Sequence, residues 1–455
     1  FDFMAASLPI IVTPIGARGI IKHSIPGIIV AQKHEFLDAL KQWDFTQSVH
    51  TDKIARQNFD FAAISKNLGK YLSLTQQKNK KQTIFMLTSW NIACGIADHS
   101  RQLAEQFWQQ HNISIIANDN HYLYAAEMTK DIKYTNVYKA WHYDNIHYQN
   151  SSVDIDSIVA ITKNSHALFI IHYHPAFFSV KILVQLLQAI KKQVTTLVLT
   201  LHNANIDDQT LLDYLAHNKQ IKVVTHNLQD SHYLNTKNIK ADTFFLGIPD
   251  SKANTENKQT QDNTFIVGGF GFLRKHKGIL NTIKAIHSLT QNNKNSEYRG
   301  LHTLIADSTE SQHLLKECND YIKQHQLEKT IKLTTDYLPT QNIIDQLSAC
   351  DIIVLAYDDS DEGSSAAASM AFSAGIPVCV TDTHIFNHVK PYACVIEDNK
   401  KQSLCDTINT LNNNPEIYRH YLQQSKDYQA QYSINKTAEN YLKLTRDNHN
   451  EIPIQ

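Results

Sequence analysis

The feature that most limits what this chain can fold into is a repeated alternation of strand-length apolar runs with helical patterns. The runs read TIFMLTS from Thr83, ISIIAN from Ile113, ALFIIHY from Ala167, TLVLTLH from Thr196, KVVTH from Lys222 and TFFLGIP from Thr243. They recur roughly every 25 residues with helical periodicity between them, as expected for parallel strands joined by crossover helices. Continuous rather than alternating apolar character implies strands covered on both faces. A polar stretch without periodicity, SKANTENKQTQDN at 251–263, reads as a linker. The alternation then resumes with TFIVGG, LHTLIAD, TIKLTT, DIIVLAY, PVCVTD and YACVIED. The expectation is an α/β chain whose two parallel-sheet halves, 80–250 and 264–445, face each other across a cleft.

Asp351 to Asp382 (DIIVLAYDDSDEGSSAAASMAFSAGIPVCVTD) carries the most chemical information. It reads as strand, acidic loop, helix and strand. Ser364 or Ser365 is placed to cap the helix, and Gly375 with Pro377 ends it. The start of such a helix offers unpaired N–H groups and the positive end of the dipole, so a phosphate-bearing ligand is expected there. Gly268 to Gly278 (GGFGFLRKHKG) also follows a strand and opens a helix. It fits neither a Walker A loop, because Lys277 precedes its glycine, nor GxGxxG, because the third glycine is absent.

Glu362-Gly363 followed by Gly375-Ile376-Pro377-Val378, at this spacing, resembles the motif of the GT-B glycosyltransferases, in particular the retaining family four. The family pattern has a second Glu eight residues after the first, and this chain has Met370 there. The resemblance implies two Rossmann-like doubly wound domains. It also implies that Glu362 holds donor-sugar hydroxyls, that the ribose Glu has no counterpart, and that the Ser364-Ser365-Ala366-Ala367 turn holds the diphosphate. The Gly268–Gly278 loop resembles the family's phosphate loop. Lys277 would then neutralise the diphosphate and Arg274 would be the second cation, although the family more often has Arg at the position of Phe272. Gly95, within WNIACGIA, resembles the family's glycine-rich loop, where the backbone approaches the ligand closely; its neighbour Cys94 reads as structural. His202, at a strand end, matches a family histidine near the donor sugar. The catalytic set implied is Glu362, His202 and Lys277. The donor-binding set is Gly95, Gly269, Arg274, Lys277, Glu362, Gly363, Ser364 and Ser365.

The activity implied is transfer of a sugar from a nucleotide diphosphate sugar to the hydroxyl of a saccharide or lipid-linked saccharide, with retention, in surface polysaccharide or lipopolysaccharide assembly. No cofactor and no metal are expected, the nucleotide sugar being a substrate. The location implied is cytoplasmic, with peripheral attachment at the inner face of the membrane as an extension. The rival readings are a non-catalytic GT-B scaffold module of a larger protein and a nucleotide-sugar epimerase.

Other residues narrow the field. A net charge of −1 from 43 basic and 44 acidic residues gives no field for nucleic acid. The six cysteines show no CxxC or metal spacing, which fits buried thiols in a reducing compartment. His172 and His174 lie two apart on a strand, with packing or acceptor contact expected, and Thr225-His226-Asn227 follows the next strand. Asp154 and Asp156 are expected to cap a helix, and Asp358, Asp359 and Asp361 to face solvent or acceptor.

The chain opens at Phe1 in a segment that parallels its own later half. Pro9 corresponds to Pro377, and Val12-Thr13 to Val380-Thr381. The amphipathic stretch Phe36 to Trp43 resembles Leu404 to Leu411, and Asn58 to Leu72 mirrors Tyr432 to Leu444. Residues 1–75 are therefore read as the tail of an upstream glycosyltransferase-like module of the same polypeptide.

Overall fold

The computed structural model describes residues 10–12, 28–31, 33–41, 81–92, 94–119, 136–142, 150–163, 165–203, 208–249, 264–292, 295–305, 308–360 and 363–445 of the 455. The chain forms two units, Phe1–Lys80 and Lys81–Gln455. In the first, strand β1 (Ile10–Val12) pairs in parallel with β2 (Ile28–Val30), and a helix spans Phe36–Lys41. The strand expected after Pro9 is thus β1. The helix expected to reach Trp43 is described to Lys41, and that expected over Asn58–Leu72 lies outside the described residues.

The second unit contains two sheets. The first has eight strands: β3 (Thr83–Leu87), β4 (Asn112–Asn118), β5 (Asn136–His142), β6 (Ser152–Val153), β7 (Ala167–Tyr173), β8 (Thr196–Leu201), β9 (Ile221–Thr225) and β10 (Ala241–Thr243), in the order β10-β9-β8-β7-β3-β4-β5-β6. All neighbours are parallel except β5 and β6. The second has six parallel strands: β11 (Phe265–Phe272), β12 (Ser296–Thr303), β13 (Ile331–Thr334), β14 (Ile352–Leu355), β15 (Val378–Thr381) and β16 (Cys394–Ile396), in the order β13-β12-β11-β14-β15-β16.

Period-two alternation divides each strand between two cores. From the first sheet, Phe85, Phe169, Ile171 and Leu199 enter one core, while Ile84, Met86, Leu168, Ile170 and Val198 enter the other. Every residue of β7 and β8 is buried, which is why these strands read as continuous apolar runs. The helix Ile434–Lys443 completes the second of these cores. Ile434, Ala438 and Tyr441 pack beneath the first sheet, and the Tyr441 and Thr200 hydroxyls are 2.9 Å apart. The chain thus leaves the first half, builds the second and returns.

The strand orders locate the site. In the first sheet the chain runs outward from β3 through β4 to β6, then resumes on the other side of β3 at β7. In the second it runs outward from β11 and resumes at β14. Such reversals open a crevice at the carboxyl ends of the strands, where loops diverge to opposite faces.

Candidate active site

A cavity of about 610 Å³ occupies that crevice and is lined from both sheets. Cys94 and Gly95 follow β3, His174 follows β7, and His202 and Asn203 follow β8. From the second half come Gly271, Phe272, Arg274, His276 and Lys277 at the end of β11, Tyr337 after β13, and Tyr357, Ser360, Gly363 to Ala367, Ser369 and Met370 after β14.

The second wall suits an anion. Lys277 lines it while remaining buried, and its Nζ lies 3.9 Å from the centroid of the Tyr357 ring, a cation–π contact that fixes the ammonium. Gly278, next to it, has φ +66°, and a Cβ there would lie 1.8 Å from the Ala356 carbonyl oxygen. Only glycine permits this turn, which delivers Lys277 and starts the helix Ile279–Gln291. Arg274 also lines the cavity and is exposed. The helix Ala366–Ser373 begins at the cavity. Ser365 caps it by accepting a hydrogen bond from the Ala368 N–H, and Ser364, Ala366 and Ala367 line the same edge. Across the cleft the helix Gly95–Trp108 also begins here, and a Cβ on Gly95 would lie 3.6 Å from Ala366 Cβ. Two helix N-termini and two cations therefore converge on one space.

The first wall is rich in neutral histidine. His99, His172, His202 and His226 form one cluster; His172 Nδ1 and His202 Nε2 are 2.9 Å apart, and the rings of His202 and His226 lie 4.5 Å apart. Desolvation holds all four below the ordinary histidine range, His172 at about 3 and His226 at about 4, so all are neutral near pH 7. Asp98 joins the two walls. Its carboxylate accepts a hydrogen bond from the Tyr337 hydroxyl of the opposite half, and burial pushes its carboxyl up to about 6. Asn227 Nδ2 donates to the Gly363 carbonyl at 2.8 Å, and Ser369 Oγ to that of Leu246 at 3.1 Å.

The structure thus brings Gly95, His202, Arg274, Lys277, Gly363, Ser364 and Ser365 to one cavity, with Met370 in its lining. Glu362 and Asp361 lie outside the described residues. Gly269 does not line the cavity. It sits inside β11, where a Cβ would lie 2.2 Å from the Tyr298 hydroxyl, and Gly271 at the strand's end takes the cavity position. Burial pushes the Cys94 thiol up, which disfavours a nucleophilic thiolate. Asp154 caps its helix, as its spacing implied, by accepting from the Ser157 N–H at 3.0 Å. Asp358 and Asp359 are exposed and bond Asn399 and His384. Among the described residues no group of three or more His, Cys, Asp or Glu is arranged to hold a metal ion. Sequence reasoning missed His99, Asp98 and Tyr337; the only local signal was an acidic residue in a helix's first turn.

Residues 250–428 match the family described as Glycosyl transferases group 1. No curated protein matches the chain in sequence. Among solved structures the chain is similar to a glycosyltransferase from Rickettsia africae, with 14% identity, TM-score 0.64, and coverage of 82% of this chain and 100% of that one. It is similar to HepE from Anabaena in complex with UDP and glucose, with 14% identity, TM-score 0.60, and coverage of 80% and 100%. It is also similar to a trehalose-6-phosphate protein from E. coli bound with UDP-2-fluoro glucose, with 10% identity, TM-score 0.59, and coverage of 80% and 99%. Residues 250–428 thus match a group 1 glycosyl transferase domain, and the two halves share the GT-B fold of the solved structures.

Proposed function

We propose that this protein transfers a sugar from a nucleotide diphosphate sugar to a saccharide hydroxyl in the cleft between its two halves. The observation that carries the reading is the convergence of buried Lys277 with the start of the helix Ala366–Ser373 on one cavity. A diphosphate there would meet a fixed ammonium, the Arg274 fork and backbone N–H groups. Charge developing on the leaving nucleotide is stabilised by donors already in place. His202 would hold a sugar hydroxyl from the opposite wall, and Glu362 takes the same role by the family resemblance. Contacts between the halves, Asp98 with Tyr337 and Asn227 with Gly363, would keep water from the donor while the acceptor attacks. Two solved relatives hold UDP with glucose or UDP-2-fluoro glucose, so UDP-glucose is the first donor to test.

Retention, a lipopolysaccharide or other surface-saccharide acceptor, and action at the inner membrane face extend the family resemblance to this chain. Among the described residues no helix is long and apolar enough to cross a membrane. Residues 1–75 are taken, by the same resemblance, as the tail of an upstream module. A second reading, a scaffold without activity, draws on Met370, an apolar side chain in the cavity lining where the family places a ribose-binding Glu.

The deciding experiment is a thermal-shift series with UDP, GDP, CMP, dTDP and ADP and their sugars. Saturable stabilisation by one diphosphate, lost in Lys277→Ala, is expected. A ligand at about 100 times its dissociation constant adds about 2.7 kcal/mol. No stabilisation at millimolar ligand would leave the scaffold.

A further inference from the structure

His202 is the one cavity-lining member of the cluster bonded ring to ring, since its Nε2 lies 2.9 Å from Nδ1 of the fully buried His172. That leaves Nδ1 as the ring's remaining hydrogen-bonding atom. Two neutral imidazoles share one proton across such a contact, so there are two arrangements. If His202 donated, His172 would carry its own proton on Nε2, which is buried without a hydrogen-bond partner among the described residues. If His172 donates, that buried Nε2 keeps a lone pair instead. His226 shows which orphan this pocket already accepts. Its Nδ1 lies 2.8 Å from the Phe244 carbonyl oxygen, which only accepts, so the proton is on Nδ1 and the buried Nε2 is a lone pair without a partner. Buried N–H groups without partners are the rarer defect.

We propose that His172 is a positioning residue that fixes His202 as the Nδ1–H tautomer, so that His202 acts on its ligand solely as a hydrogen-bond donor. With Nε2 occupied by His172, His202 has no lone pair to offer the acceptor hydroxyl and is not the base of the reaction. Its role is to grip an oxygen of the donor sugar, a statement that rests on the proposed function; the tautomer itself does not.

The test is nitrogen NMR of the full chain labelled with ring-15N histidine, with the His202 signals assigned by their loss in His202→Gln. At pH 7 the expected pattern is a protonated Nδ1 and an unprotonated Nε2. His172→Leu should abolish that preference, and His172→Asn, which keeps an amide donor near the Nδ1 position, should restore it. A proton on Nε2 of wild-type His202, or an unchanged tautomer in a folded His172→Leu, overturns the proposal. If His172→Leu does not fold, the wild-type spectrum and His172→Asn decide alone. In a transfer assay His172→Leu should lower kcat roughly ten-fold with KM little changed, as for a misplaced binding group. Absence of transfer by the wild type would overturn the proposed function, and the spectra would still decide on His172.

Discussion

The first half backs the cleft with a cluster of four imidazoles that burial keeps uncharged, of which His99 and His202 line it, whereas the second contributes Lys277, Arg274 and the start of the helix Ala366–Ser373. Both walls end parallel strands, so the architecture alone does not explain the contrast. The difference lies in the local turns. In the second half, the left-handed Gly278 and the Ser365 cap aim dipoles and an ammonium inward. In the first, β7 and β8 run side by side and place His172 beside His202, beneath the cover of Tyr441. One wall is built to hold an anion and the other, Asp98 apart, to orient without charge.

The largest effect that could break this comparison comes from exchanging one residue on each wall. Lys277→Ala should reduce sugar transfer by about 10²–10³-fold, the scale seen when a preorganised charge-stabilising donor is removed. His202→Ala should cost roughly ten-fold to 10²-fold less than that, because it removes a neutral grip. Equal losses in a steady-state assay would mean that the walls share the charge after all.

A smaller effect should separate the walls by pH. The four imidazoles are neutral in the fold, but an unfolded chain binds protons at them from about pH 6.5 downward. The unfolded state then holds more protons, so stability rises with pH up to about 6.5 and falls below it, until His226 titrates at about 4 and His172 at about 3. Asp98 opposes this. Its carboxyl, raised to about 6, keeps a proton that the unfolded chain has lost, so its contribution weakens as pH rises from about 4 to 6. One carboxyl against these four imidazoles, with His302 and His388 of the second half also lowered by burial to about 4, leaves a net acid weakness. Urea melts from pH 7 to 4.5 should show it, with a shallower slope in His226→Leu. An unchanged slope in His226→Leu would place charge in the first wall.

The smallest effect sharpens the comparison from the other side. Ser365→Ala removes a cap and should cost about 1 kcal/mol by thermal melt. It should also raise the concentration of diphosphate needed for half-stabilisation, whereas capping Ser179, on the first half's helix Val180–Ile190, should change stability alone when replaced by Ala.

The same contrast explains what could be read in the sequence. Central strands such as β7 and β8 were legible because both faces are buried, so hydrophobicity alone marks them. Strand β5 was not, since Asn136 to Lys139 are exposed and NVYKAWH has no apolar run; its partner β6 has two residues. The charged wall was legible because strand, glycine turn, cation and capped helix lie close along the chain. The histidine-lined wall was legible at Gly95 and His202 but not at His99 or Asp98, because those members acquire meaning across sequence distance. Asp98 and Tyr337, for example, are 239 residues apart. Gly269 was misplaced because two glycines near a strand end look alike in sequence, while β11 runs on to Phe272 and carries only its last residues to the cavity.

The returning helix has a consequence for the order in which the molecule is made. Ile434, Ala438 and Tyr441 close one face of a sheet whose last strand ends at Thr243. During synthesis that sheet waits, with this face covered only in part by Leu103, Ala104 and Phe107, while about 190 further residues emerge, time on the order of ten seconds or more at the ribosome. The second half has all its strands by Ile396 and can set first. The half that begins first is therefore finished last. A chaperone that shields Ile84, Met86, Ile170 and Val198 in the interval would find its target in the nascent chain.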